Sequence, residues 1–178
     1  MSAGTVLSWV LVHAFVDENT VRGIMVAAAI ADPQSLAHAR KVLTELRLKG
    51  QERLHFKSER DSRRREICSA LVKLDVRVHV YNAATLTPKQ GRPRCLEMLV
   101  ADLAQLSASR LVLEQDDSTM KADRRVLYEA VGKHGIREHL TYHHLRATGG
   151  DPLFVVRDIP GALCSVLGAE CGVARPVL

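Results

Sequence analysis

Aromatic residues are scarce in this 178-residue chain, at 4 %, with one Trp, three Tyr and three Phe. Surfaces that hold single-stranded nucleic acid by base stacking need several aromatic rings, so the composition argues against that mode of binding. The four cysteines, Cys68, Cys95, Cys164 and Cys171, form no C-x-x-C pair of the zinc or redox type. They indicate reduced thiols in a cytoplasmic protein, and a redox-linked Cys164–Cys171 pair remains the alternative.

Long apolar runs and nucleotide-binding glycine motifs are also missing from the sequence. No stretch reaches the roughly 18 apolar residues that span a bilayer, and the first residues do not resemble a targeting segment. Neither a Walker loop nor a G-x-G-x-x-G or G-x-S-x-G pattern occurs, which argues against P-loop hydrolases, dinucleotide enzymes and serine hydrolases. We therefore expect no membrane association.

Positive charge is what the chain has in excess. The formal net charge is +5 and the pI is about 9.2, which favours polyanionic partners and nucleic acid above all. The densest basic cluster lies between residues 53 and 65 and consists of Arg53, Lys57, Arg60, Arg63, Arg64 and Arg65. We predict that Lys57, Arg60, Arg63 and Arg64 contact an RNA or DNA backbone. The alternative is a solvated helix face with local ion pairs, because three acids interrupt the cluster.

The hydrophobic pattern predicts strands that alternate with helices. The strands are predicted over residues 8–18, 21–31, 54–56, 76–82, 110–114 and 139–145. The helices are predicted from the Asp32-Pro33 cap to Gly50, from Ser58 or Asp61 through Leu74, and over residues 96–106, 116–134 and 151–168, with a loop over residues 85–94. An opening hairpin followed by such units predicts an α/β fold in a single domain over residues 1–178. Its mixed central sheet would be opened by a β-hairpin and carry helices on both faces.

Two predicted strands end on acids. The apolar run from Trp9 to Val16 stops on Asp17 and Glu18, and the strand over residues 110–114 ends on Glu114. A buried carboxylate is costly unless a cation or a strong donor compensates it, so Asp17 is the first candidate for chemistry. If the two strands are parallel neighbours, Asp17 and Glu114 lie side by side at a sheet edge where sites gather. Glu18 alternates to the opposite face and is predicted to be peripheral.

The final predicted helix supplies a third acid. Asp158 shares a helical stripe with Val155, Ala162 and Val166, which places it on the inner face. The alternative is that Asp158 caps a shorter helix that begins at Pro160. Two strand-end acids and one helix acid would offer oxygen ligands to Mg²⁺ or Mn²⁺, and paired ions of this kind clamp a phosphoryl transfer.

Histidines and one further acid complete the candidate set. His55, His144 and Asp123 are predicted as possible residues of the rim of the site. His139, His143 and His144 lie within six residues, yet no suitably spaced partner for a zinc site accompanies them.

Several short motifs, taken in order, carry a resemblance to a known family. They are Val16-Asp17-Glu18-Asn19, Leu54-His55-Phe56 with Glu59, the stretches 94–99 and 111–114, His144, and Asp151-Pro152-Leu153 with Asp158 and Gly161-Ala162. Over about residues 10–168 this order and spacing resembles the domain-of-unknown-function family 3800, in its short actinobacterial-type members. The resemblance implies an RNase H-like fold and a carboxylate site with Asp17, Glu114 and Asp158 as catalytic residues and metal ligands. Glu59, or else Glu52, would be the fourth acid.

The chain departs from the expected pattern at three places. Asn19 stands where the family usually has Ser, Pro160 stands where a helix former is usual, and Glu114 stands where RNase H-like sites more often have Asp. We therefore keep two functional hypotheses, a Mg²⁺- or Mn²⁺-dependent nuclease or phosphodiesterase and a catalytically degenerate RNase H-like binding or assembly module. A role with a protein partner is a third option.

Overall fold

A mixed sheet forms the centre of the computed structural model, which describes residues 11–20, 23–54, 56–146, 151–158 and 174–176. In this part of the chain the sheet has six strands in the order β5-β4-β1-β2-β3-β6. The strands are β1 (Val12–Asn19), β2 (Ile24–Ala31), β3 (Val76–Ala83), β4 (Ala108–Glu114), β5 (Thr141–Leu145) and β6 (Ala174–Pro176). The helices are α1 (Leu36–Glu45), α2 (Asp61–Val72), α3 (Pro88–Gln105) and α4 (Met120–Lys133), with short 3-10 helices at Phe56–Ser58 and Pro152–Asp158.

The strand directions confirm the predicted fold class. β1 and β2 form the opening antiparallel hairpin, β3 runs antiparallel to β2, and β4 and β5 follow parallel to β1. Helices cover both faces, since α3 and α4 pack on one face while α1, α2 and the Pro152–Asp158 helix pack on the other. The fold is therefore α/β, with a mixed sheet opened by a hairpin. Among the described residues, no helix combines the length and apolar character that crossing a membrane requires.

Alternation along the strands assigns side chains to the two faces. Val16 and Leu113 belong to the apolar layer beneath α3 and α4. Phe15 and Val112 belong to the layer beneath α1 and α2. Both layers consist of strongly buried apolar residues, so each face of the sheet is a core and not a solvent surface.

The prediction of a loop over residues 85–94 is wrong, because α3 already begins at Pro88. Pro88 is tolerated in the first turn, where its missing N–H would have had no helical partner. Pro93 lies inside the helix, whose next turns bury Leu96 and Leu99 against the sheet. Packing of this apolar stripe outweighs the local cost of the proline and of Gly91.

Gly91 is required by the close approach of α3 to the sheet. A Cβ at this position would meet Ile24 Cγ2 and would lie 2.8 Å from Ala83 Cβ. We expect Gly91→Ala to lower the free energy of unfolding by about 1–3 kcal/mol, because this clash outweighs the gain in helix propensity. In α4, a Cβ at Gly132 would meet only the flexible guanidinium of Arg137, so Gly132→Ala should be neutral or stabilising. Urea denaturation of both variants measures the difference, and equal effects would contradict it.

Other predicted boundaries shift by a few residues. α1 begins at Leu36 with Ser35 as its N-cap, and not at Asp32-Pro33, because Asp32 Oδ1 accepts a hydrogen bond from the N–H of Gln34 at 2.7 Å in a preceding turn. The strand predicted over residues 54–56 is not found at its described residues, because Leu54 lies outside any strand and Phe56 begins the Phe56–Ser58 helix. α4 begins at Met120 after a turn at residues 117–119, and β5 is limited to residues 141–145.

The helix predicted over residues 151–168 is described only in its first part. A 3-10 helix runs from Pro152 to Asp158. Just before it, Asp151 Oδ1 accepts a hydrogen bond from the N–H of Leu153 at 3.1 Å. Arg40 donates two hydrogen bonds to Asp151, at 2.8 and 2.6 Å, and fastens this segment to α1. The ring of Phe154 packs edge-on against Phe15, with centroids 6.4 Å apart. The rest of that prediction, Pro160 included, lies outside the described residues.

Candidate active site

The two strand-end acids lie on adjacent parallel strands. Val16 of β1 is the register partner of Leu113 of β4, so Asp17 and Glu114 are the next residues on their two strands. The residues that precede them, Val16 and Leu113, face α3 and α4. Because side chains alternate along a strand, Asp17 and Glu114 lie on the other face, which is covered by α1, α2 and the Pro152–Asp158 helix. The structure therefore brings Asp17 and Glu114 together at the carboxyl end of the sheet, where the sequence placed them.

Both carboxylates are largely withdrawn from solvent. Asp17 is 6 % exposed, and its Oδ1 accepts a hydrogen bond from the N–H of Glu18 at 2.7 Å. The Glu114 side chain is 12 % exposed, and its Oε1 accepts a hydrogen bond from Arg53 Nη1 at 3.0 Å. Arg53 belongs to the basic cluster but was not predicted as a site residue, and nothing in its local sequence distinguishes it from its neighbours.

A cavity of about 470 Å³ opens at these strand ends. Its polar lining is dominated by acids, and the charged lining residues are Asp17, Glu18, Arg92, Glu114, Asp116 and Asp117. Asp116 and Asp117 stand in the turn before α4. Asp116 accepts hydrogen bonds from the Ser118 hydroxyl at 2.6 Å and the Ser118 N–H at 2.8 Å, and these bonds lower the pKa of its carboxyl. A cavity with this lining favours a cation, or a ligand that binds with one.

Arg92 occupies the wall of the cavity on the α3 side. The sequence does not indicate its role, because the local composition predicts a loop over residues 85–94. Its side chain is 12 % exposed and pairs with Glu18. It also donates two hydrogen bonds of 2.8 Å to the two oxygens of Asp123, in the bidentate geometry of a strong pair. Glu18 lies on the opposite face from Asp17, as predicted, and its side chain, 24 % exposed, pairs with the more deeply buried Arg92. Its peripheral position relative to the site stays a prediction.

Asp123 and His144, predicted as possible rim residues, lie behind Arg92 and not at the rim. Both side chains are 3 % exposed, and His144 Nε2 lies 3.7 Å from Asp123 Oδ2. Burial lowers the pKa of His144, although the Asp123 carboxylate opposes the shift. The two residues therefore extend the Arg92 ion pair towards β5.

The depressed pKa of His144 makes stability dependent on pH. Burial also lowers the pKa of His13, and the ordinary value for both is 6.5. Because the unfolded chain takes up these protons at a higher pH than the folded chain does, the free energy of unfolding should fall as the pH drops below 6.5. Urea denaturation at several pH values measures this slope, and His144→Gln should reduce it. An unchanged slope in that variant would contradict the assignment.

Glu59 is buried, at 7 % exposure, but its described partners are not the strand-end acids. Gln51 Nε2 donates to its Oε1 at 2.8 Å, and Arg63 Nε lies 4.0 Å from its Oε2. Glu52, the alternative fourth acid, is exposed. Burial therefore favours Glu59 over Glu52, and its role as a fourth acid stays a prediction.

The basic cluster does not form one uniform surface. Arg60 is exposed. Arg63 is 14 % exposed, pairs with Glu66 and donates to the carbonyl of Leu46. Arg64 donates to the carbonyl of Phe56 at 3.1 Å and stacks on its ring. Arg63 and Arg64 thus connect α2 to the segment before it, which agrees with the alternative prediction of local ion pairs. Contact of these two residues with nucleic acid stays a prediction.

Three predicted residues are not described at their side chains. His55 lies outside the described residues, and the side chains of Lys57 and Asp158 do as well. The backbone of Asp158 ends the Pro152–Asp158 helix, which packs on the same face as Asp17 and Glu114. Asp158 is predicted either to join the strand-end acids or to cap a following helix, and both alternatives stay predictions.

The donor set fits a hard divalent cation. Within the described part of the chain, no group of three His, Cys, Asp or Glu residues is placed to hold a metal ion. Asp17 and Glu114 supply carboxylate oxygens from two adjacent strands, and Mg²⁺ commonly binds through one or two carboxylates together with water and substrate phosphates. The pair therefore suits Mg²⁺ or Mn²⁺ better than zinc, which prefers nitrogen and sulfur ligands.

Fold and site together define an α/β protein with paired carboxylates at the carboxyl ends of two adjacent parallel strands. None of the family models and none of the curated proteins compared with this chain matches it, so membership of family 3800 stays a prediction. Among solved structures, the chain is similar to one in the PCNA:RNase HII complex from Archaeoglobus fulgidus. The identity is 18 %, the match covers 84 % of this chain and 70 % of that one, and the TM-score is 0.49. Since one fold serves many activities, only the side chains of the site bear on function.

Proposed function

We propose that this protein is a Mg²⁺- or Mn²⁺-dependent nuclease or phosphodiesterase that acts on nucleic acid. The observation that carries the proposal is the pair of largely buried carboxylates, Asp17 and Glu114, at adjacent strand ends beside a cavity of about 470 Å³. Burial of two neighbouring acids is costly, and such a cost is typical of functional sites.

Each residue of the site has a definite task in this proposal. The Glu18 N–H fixes the orientation of the Asp17 carboxylate, and Glu114 presents its oxygens from the neighbouring strand. A bound divalent cation would supply the positive charge that stabilises the pentavalent phosphorus in a phosphodiester hydrolysis. Asp158 is proposed as the third ligand and Glu59 as the fourth acid. Burial of the pair excludes bulk water and strengthens every electrostatic contact inside the site.

Nucleic acid is the proposed partner because a chain of net charge +5 attracts a polyanion. Arg60 offers an exposed cation near the start of α2. Lys57, Arg63 and Arg64 remain proposed backbone contacts. A cytoplasmic location, favoured by the absence of C-x-x-C pairs, belongs to the same proposal.

The direct test is incubation of the purified protein with RNA, DNA and an RNA–DNA hybrid in Mg²⁺ or Mn²⁺. We expect at least one substrate to be cleaved, and EDTA should abolish the cleavage. Isothermal titration calorimetry should detect Mn²⁺ binding under the same conditions. If none of the three substrates is cleaved in either metal, the proposal is overturned.

A second candidate is a non-catalytic nucleic-acid-binding module. The contact between Arg53 and Glu114 favours it, because a guanidinium already balances one of the two acids. The two candidates differ in metal binding. A protein without a divalent-cation site that still binds nucleic acid with strongly salt-dependent affinity would support this module.

A further inference from the structure

We infer that Arg53 is the substrate-positioning residue of this site and exchanges Glu114 for a phosphate oxygen of the nucleic acid when a divalent cation binds. The inference rests on the proposed function and adds to it the residue that binds a phosphate of the substrate beside the two acids. Arg53 lies in the segment between α1 and α2, and its Nη1 donates to Glu114 Oε1 at 3.0 Å.

Arg53 belongs to the basic cluster and contacts a strand-end acid directly. Arg63 contacts Glu66 and the Leu46 carbonyl, and Arg64 contacts the Phe56 carbonyl and Asp61. Those contacts are internal to α2 and the chain around it. A phosphate group bound beside Glu114 would therefore be within reach of Arg53.

The backbone on both sides of Arg53 is held while its side chain keeps access to solvent. Arg47 Nη1 donates to the Glu52 carbonyl at 2.6 Å, Gln51 bonds to Glu59, and Leu54 is 7 % exposed. The Arg53 side chain is 38 % exposed. Exchange of its partner therefore needs only rotation of a long, flexible side chain, with no movement of the loop.

Charge gives the exchange its direction. A cation at Glu114 competes with Arg53 for the carboxylate oxygens, and a partly exposed ion pair of this kind is weak. The guanidinium keeps its planar set of five donors and matches two phosphate oxygens at once. Each charge is paired both before and after the exchange, so it carries no cost of an isolated buried ion.

The test compares Arg53→Met and Arg53→Lys with Arg125→Met, a variant of a surface arginine in α4 that is 81 % exposed. Mn²⁺ affinity is measured by calorimetry, and the affinity for uncleaved nucleic acid by fluorescence anisotropy in Ca²⁺ at several salt concentrations. For Arg53→Met we expect Mn²⁺ affinity to stay equal or rise, because a competing cation is removed. Nucleic-acid affinity should fall about tenfold, and the salt slope should decrease by about 1. Arg53→Lys should restore part of the affinity, and Arg125→Met should change neither quantity.

The outcomes separate this inference from the proposed function. If wild-type protein binds Mn²⁺ but Arg53→Met leaves nucleic-acid affinity unchanged, the inference fails and the proposed function stands. A parallel loss of Mn²⁺ and nucleic-acid affinity would assign Arg53 a structural role and would also overturn the inference. Wild-type protein without a Mn²⁺ site overturns both.

Discussion

Replacement of Arg92 by methionine is expected to lower the free energy of unfolding by about 3–5 kcal/mol. Arg92 is the cation between Glu18 and Asp123, and the Asp123 side chain is 3 % exposed. The variant leaves the Asp123 carboxylate in the core with His144, at 3.7 Å, as its described neighbour. An uncompensated buried charge costs far more than the apolar contacts that methionine restores.

Urea denaturation at pH 7 and at lower pH measures this effect. Arg94→Met is the matched control on the same helix, because Arg94 is 57 % exposed and pairs with Glu97 at the surface. That control should cost less than about 1 kcal/mol. Adding Asp123→Asn to Arg92→Met should recover part of the loss, since the buried charge is then removed. A single-variant loss as small as that of Arg94→Met would show that the pair does not support the fold.

Asp17→Asn is expected to slow metal-dependent cleavage at least about 100-fold. Substitution of a residue that only orients a metal ligand typically slows activity by about 10- to 100-fold. The asparagine oxygen can still accept the hydrogen bond from the Glu18 N–H, so the shape of the strand end is kept. What the variant removes is one charge of the Asp17 and Glu114 pair. Because two neighbouring buried carboxylates repel each other, the free energy of unfolding should stay equal or increase.

A combined measurement of cleavage rate, Mn²⁺ affinity and stability tests this prediction. Glu129→Gln, at an acid of α4 that is 67 % exposed, serves as the control and should alter none of the three. Loss of activity together with loss of stability would mean that Asp17 supports the fold. Retained activity would remove Asp17 from the chemistry.

The sequence predicted the sheet and its acids well because both follow from local rules. An apolar run that stops on Asp17, and another that ends on Glu114, mark strand ends through burial alone. The sequence leaves open whether the two strands are parallel neighbours, because the order of elements does not fix the order of strands in the sheet. The register of β1 and β4 meets that condition, while the metal-binding roles of the two acids remain predictions.

The residues that the sequence missed depend on contacts between distant parts of the chain. Arg92 follows Gly91 and precedes Pro93, a local composition typical of loops, and only packing of α3 on the sheet makes it helical. Arg53 lies 61 residues from Glu114, and one arginine among several carries no sign of its partner. Long-range pairing of this kind requires the fold to be known first.

The adjacent acids Asp17 and Glu18 make the register of β1 in the opening hairpin depend on charge as well as on burial. Shifting β1 by one residue against its partners would exchange their faces, because side chains alternate along a strand. Asp17 would then face Arg92 with a shorter side chain, while Glu18 would crowd the neighbourhood of Glu114. The order of the two acids therefore favours the observed register of β1 through charge as well as through burial.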